Sequence, residues 1–115
     1  MEIRLVVIRT SDTQKLADFY SLLGLTFACH RHGSSPAHYS ATIGKAVVEI
    51  YPLAKQQQDA DQNLRLGFGI ENFDAVIKIL KEQQVDFSVE PMQTAYGFMA
   101  VVSDPDGRCI ELYKN

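Results

Sequence analysis

The sequence predicts an α+β domain built from two modules that share the order βαβββ. The first observation is an internal repeat: residues 5–27 align with residues 65–87 at an offset of 60, and residues 48–51 recur as residues 110–113. The second is that the hydrophobic pattern of each half changes from that of a strand to that of a helix and back. The length of 115 residues is typical of one compact domain. We expect a single domain, 1–115, with module one at 1–53, a linker at 54–63 and module two at 64–115.

Module one is predicted to begin with a strand at 3–8, which is almost wholly apolar. A helix follows, because apolar residues recur at positions i, i+3, i+4 and i+7 and so share one face. Its cap is either Asp12 or Ser11, the latter in a capping box with Gln14. Gly24 ends the helix. The apolar stripe consists of Leu16, Phe19, Tyr20 and Leu23.

Turn-forming residues divide the rest of module one into three strands. A strand at 25–31 leads into Gly-Ser-Ser-Pro at 33–36, and the strand at 37–43 pairs with it as a hairpin. A Gly-Lys turn then starts the strand at 46–51. The polar linker that follows has no hydrophobic period, so we expect its three glutamines, 56–58, to be exposed.

Module two repeats this plan. Asn72 is a candidate cap for its helix, and two glutamines at 83–84 end the apolar stripe. Three strands follow at 85–89, 98–103 and 109–113. The last two are joined by Asp-Pro-Asp-Gly, in which proline presets φ for a type I turn and glycine supplies the positive φ after it. Residues expected to be buried in the two helices are Phe19, Tyr20, Val76 and Leu80.

Composition and charge exclude several classes of protein. The chain carries 14 acidic and 11 basic residues, a formal net charge of −3, without a cluster of Lys or Arg, which argues against a nucleic-acid partner. No apolar run approaches the roughly 18 residues of a membrane helix. Cys29 and Cys109 are too few for a disulfide framework and are expected to be reduced, partly buried thiols. These features favour a small cytoplasmic protein.

Two parts of the sequence are similar to a known superfamily. Residues 104–112 read Asp-Pro-Asp-Gly-Arg-Cys-Ile-Glu-Leu. Near the start, Arg-Thr-Ser-Asp at 9–12 is followed by Asp-Phe-Tyr at 18–20 and Leu-Gly-Leu at 23–25. They resemble the closing and opening motifs of the vicinal oxygen chelate superfamily, which includes glyoxalase I, extradiol dioxygenases, and fosfomycin and bleomycin resistance proteins. The resemblance covers essentially the whole chain. It implies a glyoxalase/bleomycin resistance/dioxygenase-like fold, a half-open cup of curved sheets, in a homodimer whose cups are built within one chain or across two.

The resemblance also implies where a divalent metal would be held. In the superfamily, four side chains at the floor of the cup bind it, one from the first and one from the last strand of each module. The matching positions here are Leu5, Glu49, Arg65 and Glu111. Two carboxylates alone are a poor transition-metal site, and Arg65 puts a permanent cation where the ion would lie. We therefore expect neither a metal nor another cofactor.

The arginine at position 65 has two interpretations. Its guanidinium either replaces the metal between Glu49 and Glu111 and orients a polar group of a ligand, or it only neutralises two inherited carboxylates. Arg9 lies nearer the rim of the implied cup and is either a clamp for an anionic group of a ligand or a surface arginine.

Aromatic and histidine side chains complete the set of candidates. Tyr51 and Tyr113, two residues beyond each Glu, face the implied cup by strand period and either contact an organic ligand or fill the cup. His30, His32 and His38 crowd one hairpin, where a metal site or a general base is conceivable. None of the three falls on a ligand position of the superfamily, and their role stays open.

These residues favour a small-molecule-binding protein of the glyoxalase/bleomycin resistance type with a degenerate, metal-free site. The alternative is an enzyme, a lyase, isomerase or dioxygenase, in which Glu49 and Glu111 act as acid–base groups or metal ligands. The sequence does not indicate which organic molecule is bound. The expected binding residues are Arg9, Glu49, Tyr51, Arg65, Glu111 and Tyr113.

Overall fold

The computed structural model describes residues 1–34 and 36–115. Ser35, part of the predicted Gly-Ser-Ser-Pro turn, lies outside the described residues. The chain forms two compact units. Unit one comprises Met1–Ser21 and Leu25–Asp61, and unit two comprises Leu22–Gly24 and Gln62–Asn115.

Module one has the predicted βαβββ order. Its four-stranded sheet has the strand order β1-β4-β3-β2, in which β1 runs parallel to β4 and the other neighbours are antiparallel. The second strand is shorter than the predicted 25–31, because only three of its residues find partners on the third strand. The elements are β1 (Leu5–Thr10), α1 (Thr13–Leu22), β2 (Ala28–His30), β3 (His38–Ile43) and β4 (Ala46–Pro52).

The helix α1 begins where the sequence offers two caps. Asp12 Oδ1 accepts a hydrogen bond from the backbone N–H of Lys15 at 3.0 Å, so Asp12 is the cap. The predicted capping box of Ser11 with Gln14 is wrong, because the Gln14 side chain donates to Asp18 instead. The buried residues of this helix are Leu16, Ala17, Phe19 and Tyr20.

The sheet of module one has a buried face and an open face, as the strand period predicts. Ile8, Val48 and Ile50 point to the buried face and are 1%, 4% and 0% exposed. Leu5 and Val7, which point to the other face, are 54% and 40% exposed. We call this second face the open face; on β1 and β4 it carries Leu5, Val7, Arg9, Val47, Glu49 and Tyr51.

Module two repeats the order βαβββ in a sheet with the strand order β5-β8-β7-β6, and β5 runs parallel to β8. The strand predicted at 85–89 extends to Thr94, because it pairs with its neighbour as far as a turn. Thr94 Oγ1 closes this turn by donating to the carbonyl of Gly97 at 2.7 Å. The elements are β5 (Leu66–Ile70), α2 (Phe73–Glu82), β6 (Phe87–Thr94), β7 (Gly97–Ser103) and β8 (Cys109–Lys114).

Asn72 occupies the N-cap position of α2 but does not cap it in the predicted way. Its backbone is left-handed, with φ 55° and ψ 42°, and its side chain makes no cap hydrogen bond. Asparagine adopts this region more readily than most residues, so it shapes the entry to the helix through its backbone. The expected burial is confirmed for Val76 and Leu80, as it is for Phe19 and Tyr20.

The Asp-Pro-Asp-Gly segment between β7 and β8 forms a turn around a buried ion pair. The carbonyl of Asp104 accepts the N–H of Gly107 at 2.9 Å, and Gly107 has the expected positive φ, 90°. Arg108 Nη1 lies 3.1 Å from Asp104 Oδ2 and 2.9 Å from Asp106 Oδ2. Burial lowers the pKa of Arg108, but its hydrogen bonds and charge interactions with the two carboxylates outweigh this and raise it. The superfamily motif therefore fixes the connection into the last strand.

Two expectations for single residues are wrong. Gln57 is half-buried while its flanking glutamines are exposed, because its side chain accepts the N–H of Ala54 at 2.9 Å and donates to the carbonyl of Asp59 at 3.0 Å. Cys29 is exposed rather than partly buried, since it lies on the edge strand β2. Cys109 is half-buried, as expected. Within 1–34 and 36–115, neither helix is long and apolar enough to cross a membrane.

Candidate functional site

A pocket of about 380 Å³ lies in unit one, beside the end of β4. Its walls come from β1, β3 and β4, from the β2–β3 hairpin and from the segment that follows β4. Two of the binding residues expected from the sequence, Arg9 and Tyr51, line it. Two of the hairpin histidines, His32 and His38, line it as well, together with Lys55. The structure thus gathers residues that the sequence presented as separate candidates.

Four side chains form one row across the strands of the open face, which we call the aromatic row: Arg9, Tyr51, His38 and His30. Arg9 pairs with Tyr51, His38 pairs with His30, and the register of β3 with β4 brings Tyr51 beside His38. The rings of Tyr51 and His38 are parallel within 7°, with centroids 4.4 Å apart. The centroid of His30 lies 5.3 Å from that of His38. Arg9 Cζ lies 5.4 Å from the centroid of Tyr51, so the row joins flat ring surfaces to a cation.

Hydrogen bonds hold both ends of the aromatic row. Arg9 Nη1 donates to the carbonyl of Pro52 at 3.0 Å. At the other end, His30 Nε2 lies 2.9 Å from Ser40 Oγ. Side chains that are already oriented lose less conformational freedom when a ligand binds. The row is therefore a partly preorganised surface.

Glu49 lies on the same open face of β4, two residues before Tyr51 of the aromatic row. It is half-buried, opposite Val7 on β1 and Ser40 on β3. It makes no hydrogen bond or ion pair with any residue that the structure describes. Its carboxylate is therefore available to a ligand or to a proton.

In unit two, the equivalent carboxylate is bound on both oxygens. Arg65 Nη2 donates to Glu111 Oε2 at 2.8 Å, and Tyr113 Oη donates to Glu111 Oε1 at 2.6 Å. The Arg65 and Glu111 side chains are 62% and 27% exposed. The hydrogen bond to Glu111, with a smaller contribution from burial, raises the pKa of Tyr113. Arg65, expected between Glu49 and Glu111, bonds to Glu111, and no bond joins it to Glu49 among the described residues.

A glycine makes room for this arrangement. Gly67 lies opposite Glu111 on the neighbouring strand. A Cβ atom at Gly67 would lie 3.7 Å from Tyr113 Cε2 and 3.7 Å from Glu111 Cβ, which is ordinary van der Waals contact. A longer side chain would enter the space of the tyrosine ring. Gly67 therefore allows Tyr113 to fold back along β8 onto Glu111.

The residues present do not fit a divalent metal. Leu5 has no donor atom, and Arg65 is a cation that donates to the carboxylate an ion would need. Across 1–34 and 36–115, no group of three or more His, Cys, Asp or Glu side chains is placed to hold an ion. The three hairpin histidines do not form such a group, and their role stays open.

Sequence reasoning missed that the hairpin histidines belong to the same site as Tyr51. A signal existed in the turn at Gly44 and Lys45. In a hairpin with a two-residue turn, the residue numbers of each pair of opposite positions add up to the same value. Ile43 pairs with Ala46, so position 38 must lie opposite position 51. Lys55 gave no comparable signal, because it follows the last strand of the module.

Two βαβββ modules, each with a four-stranded mixed sheet whose first and last strands are parallel, define a recognised class of α+β fold. The chain belongs to the Glyoxalase/Bleomycin resistance protein/Dioxygenase superfamily, whose family model matches residues 2–112. No curated protein matches the chain. The fold and superfamily expected from the sequence motifs are thereby confirmed.

Solved structures share this fold. The oxidase ChaP-H2 has a TM-score of 0.78 at 15% identity, with 100% of this chain and 94% of that chain covered. TnmS3, an antibiotic-binding protein from Streptomyces sp. CB03234, has a TM-score of 0.75 at 25% identity, with 99% and 95% covered. A possible glyoxalase from Bacillus cereus has a TM-score of 0.70 at 20% identity, with 98% of each chain covered. The names of these proteins include both a binding protein and enzymes, so the choice between binding and catalysis rests on the residues of the site.

Proposed function

We propose that this protein binds a small organic molecule in the pocket of module one, at a site without a metal. The observation that carries the proposal is the pocket of about 380 Å³ lined by the aromatic row residues Arg9, Tyr51 and His38. Its volume lies within the range of about 300–1,000 Å³ that is usual for small-molecule sites. The similarity to TnmS3, which is itself an antibiotic-binding protein, supports binding as the activity.

The polar cluster of module two is a separate candidate for ligand contact. Arg65 supplies a positive charge to Glu111 where a superfamily member would use a metal, and Tyr113 holds the second carboxylate oxygen. We propose that this cluster presents fixed polar groups to a ligand. Glu49 is the corresponding group of module one.

Binding is tested by native mass spectrometry of the purified protein for a co-purifying small molecule, followed by calorimetry with the molecule that is found. Tyr51→Ala should weaken its binding about tenfold or more, since a stacked aromatic surface is lost. Tyr96→Ala is the matched control, because Tyr96 is 87% exposed and lies in unit two. Equal affinity of wild type and Tyr51→Ala would place the ligand elsewhere and contradict the proposed site.

The metal-free state is tested by elemental analysis before and after soaking the protein with zinc or nickel. The wild type should retain neither ion. Leu5→His combined with Arg65→His restores the superfamily pattern of two histidines and two glutamates, so this variant should show a metal-dependent rise in melting temperature. Micromolar binding of either ion by the wild type at these positions would contradict the proposal. We also expect no metal-dependent turnover of the glutathione–methylglyoxal hemithioacetal, since that chemistry uses a Lewis acid.

A second candidate function is a metal-independent lyase or isomerase, and the observation that favours it is Glu49. Glu49 is half-buried, has no partner among the described residues and lies two residues from the pocket-lining Tyr51 on the same face, and such a carboxylate can act as a general base. If this function holds, Glu49→Gln co-purifies with the unconverted substrate, and added wild type converts that molecule while Glu49→Gln does not. Recovery of unchanged ligand after incubation with wild type would leave binding as the activity.

The expected homodimer also belongs to this proposal. Ile3, Leu5 and Val7 alternate along the edge of the first sheet and are 69%, 54% and 40% exposed, and an exposed apolar patch of this kind is typical of an association surface. Light scattering should give twice the chain mass of 12.9 kDa, and Val7→Lys should lower it. A monomer mass for wild type at micromolar concentration would contradict the dimer. The cytoplasmic location stays a prediction.

A further inference from the structure

The pocket of module one has the opposite charge to the chain as a whole. The chain has a formal net charge of −3, with 14 acidic residues against 11 basic ones. Yet Arg9 and Lys55 both line the pocket, and among its described lining residues there is neither Asp nor Glu. Two cations in the pocket would repel a cationic molecule and would find no opposite charge on a neutral one. The charge distribution therefore favours an anionic ligand.

The pocket also offers aromatic surface. Tyr51 and His38 stack on each other in parallel, and Arg9 lies over the Tyr51 ring, so the pair presents ring edges to a ligand; Pro52 and Leu53 add apolar wall. Aromatic side chains contact other flat rings in offset-stacked or edge-to-face arrangements, which gain energy beyond their buried area. The face of a planar aromatic ligand can lie across these ring edges in edge-to-face contact, whereas a puckered saturated ring has no aromatic face to offer.

The two features are held in a fixed relation by Arg9. Its guanidinium donates to the carbonyl of Pro52 at 3.0 Å and lies 5.4 Å from the Tyr51 ring. Arginine has five N–H donors in one plane, a geometry that matches a carboxylate. Lys55, from the segment after β4, adds a second cation on a flexible stem. The guanidinium of Arg9 is therefore close to the ring of Tyr51. A ligand that contacts both must have its acid group close to its own ring, as in a molecule whose carboxylate is attached directly to the ring.

We propose that the pocket selects planar aromatic carboxylates, with the ring against Tyr51 and His38 and the carboxylate at Arg9 and Lys55. This inference rests on the proposed function and specifies its ligand class. Selection requires the aromatic surface and the positive charge together, because the aromatic surface alone would accept neutral rings and the cations alone would accept any acid.

The test compares three probes by calorimetry on wild-type protein. They are 2-naphthoate, which is planar and anionic, 2-naphthamide, which is planar and neutral, and decahydro-2-naphthoate, which is anionic and not planar. Naphthoate should bind about tenfold more tightly than either of the others. Its affinity should fall as salt rises, because exposed charges are screened, while that of the amide should stay constant.

Variants separate the two parts of the site. Arg9→Gln and Lys55→Gln should each weaken naphthoate several-fold and leave the amide unchanged. Lys45→Gln is the matched control, since Lys45 is exposed in the β3–β4 turn and does not line the pocket. Tyr51→Leu should weaken naphthoate and amide alike. Melting temperatures of all variants establish that each is folded before its affinity is compared.

The outcomes distinguish this inference from the proposed function. Equal affinities for naphthoate and naphthamide would overturn the selection of charge, and equal affinities for naphthoate and its saturated analogue would overturn the selection of flat rings. If none of the probes binds at millimolar concentration while a co-purified non-aromatic molecule binds in a Tyr51-dependent way, the inference fails and the proposed function stands.

Discussion

The two modules repeat one order of elements but use equivalent residues differently. In module two, Glu111 is bound on one oxygen by Arg65 and on the other by Tyr113. In module one, the equivalent Glu49 has no such partner among the described residues. Tyr51, the equivalent of Tyr113, stacks on the neighbouring histidine instead. One module therefore has a closed hydrogen-bonded cluster, and the other has a half-buried carboxylate, unpaired within the described residues, two residues from the pocket-lining Tyr51.

The residues opposite the two glutamates explain this difference. Val7 lies opposite Glu49, whereas Gly67 lies opposite Glu111. Because a Cβ at Gly67 would already contact the ring of Tyr113, a valine side chain there would fill the space that the ring occupies. The comparison teaches that the repeat keeps the order of the strands, while the neighbours across the ladder, Gly67 and Met99 for Tyr113 and Val7 and His38 in module one, differ and give the two tyrosines different contacts.

The largest effect is expected at the connections into the last strands, which also differ between modules. Module two uses the buried pair of Arg108 with Asp104, and module one uses an exposed turn at Lys45. Arg108→Met removes the cation from a buried carboxylate, so the free energy of unfolding should fall by about 3–5 kcal/mol. Lys45→Met should change it by less than about 0.5 kcal/mol. Urea unfolding measures both, and a loss below about 1 kcal/mol at Arg108 would contradict the structural role of this pair.

A smaller effect is expected from exchanging the residues at the first ligand positions. Arg65→Leu removes a largely exposed ion pair and should cost about 0.5–1 kcal/mol. Leu5→Arg puts a guanidinium in the same position relative to Glu49 and, compared with Leu5→Gln, which removes the same apolar side chain, should stabilise the protein by a similar amount. Both changes in the free energy of unfolding should become smaller at high salt, because salt screens exposed charges. If Leu5→Arg has no effect at low salt, the two modules are not equivalent at this position.

The next prediction concerns high pH. The hydrogen bond to Glu111 raises the pKa of Tyr113 above its ordinary value, so the folded state keeps a proton that the unfolded state has lost. Tyr113 therefore contributes stability that is present below the ordinary tyrosine pKa of about 10 and is lost as pH rises through the folded-state value. Tyr113→Phe should make the decline of stability at alkaline pH less steep. An identical decline in wild type and variant would contradict the Glu111 hydrogen bond.

The smallest change in stability is expected for Gly67→Val, which gives module two the residue of module one. Valine suits a strand better than glycine does, and this gain offsets the displacement of Tyr113. The titration of Tyr113, followed by phenolate absorbance with Tyr113→Phe as the reference, should shift down toward the ordinary value as the bond to Glu111 is lost. Val7→Leu is the control, since it lies opposite Glu49 and leaves Tyr113 untouched.

The sequence alone predicted the repeat, the order βαβββ and the superfamily. Each depends on local signals: hydrophobic period, turn residues and the Asp-Pro-Asp-Gly motif. Strand ends moved by a few residues, because a strand continues only where a neighbour pairs with it, as β2 and β6 show. The repeat aligned position 65 with a ligand position and predicted Arg65 between Glu49 and Glu111; Arg65 pairs with Glu111, and Glu49 makes no ion pair with a described residue.

Only the tertiary structure decided where the side chains of the site point. The cap at Asp12, the half-buried Gln57 and the fold-back of Tyr113 each depend on particular hydrogen-bond partners that compete with others nearby in sequence. The pocket depends on Lys55 and on the stacking of Tyr51 with His38. A hydrophobic pattern specifies which face a residue is on, but its rotamer and its partner are set by neighbours across the ladder, and those neighbours come together only when the chain folds.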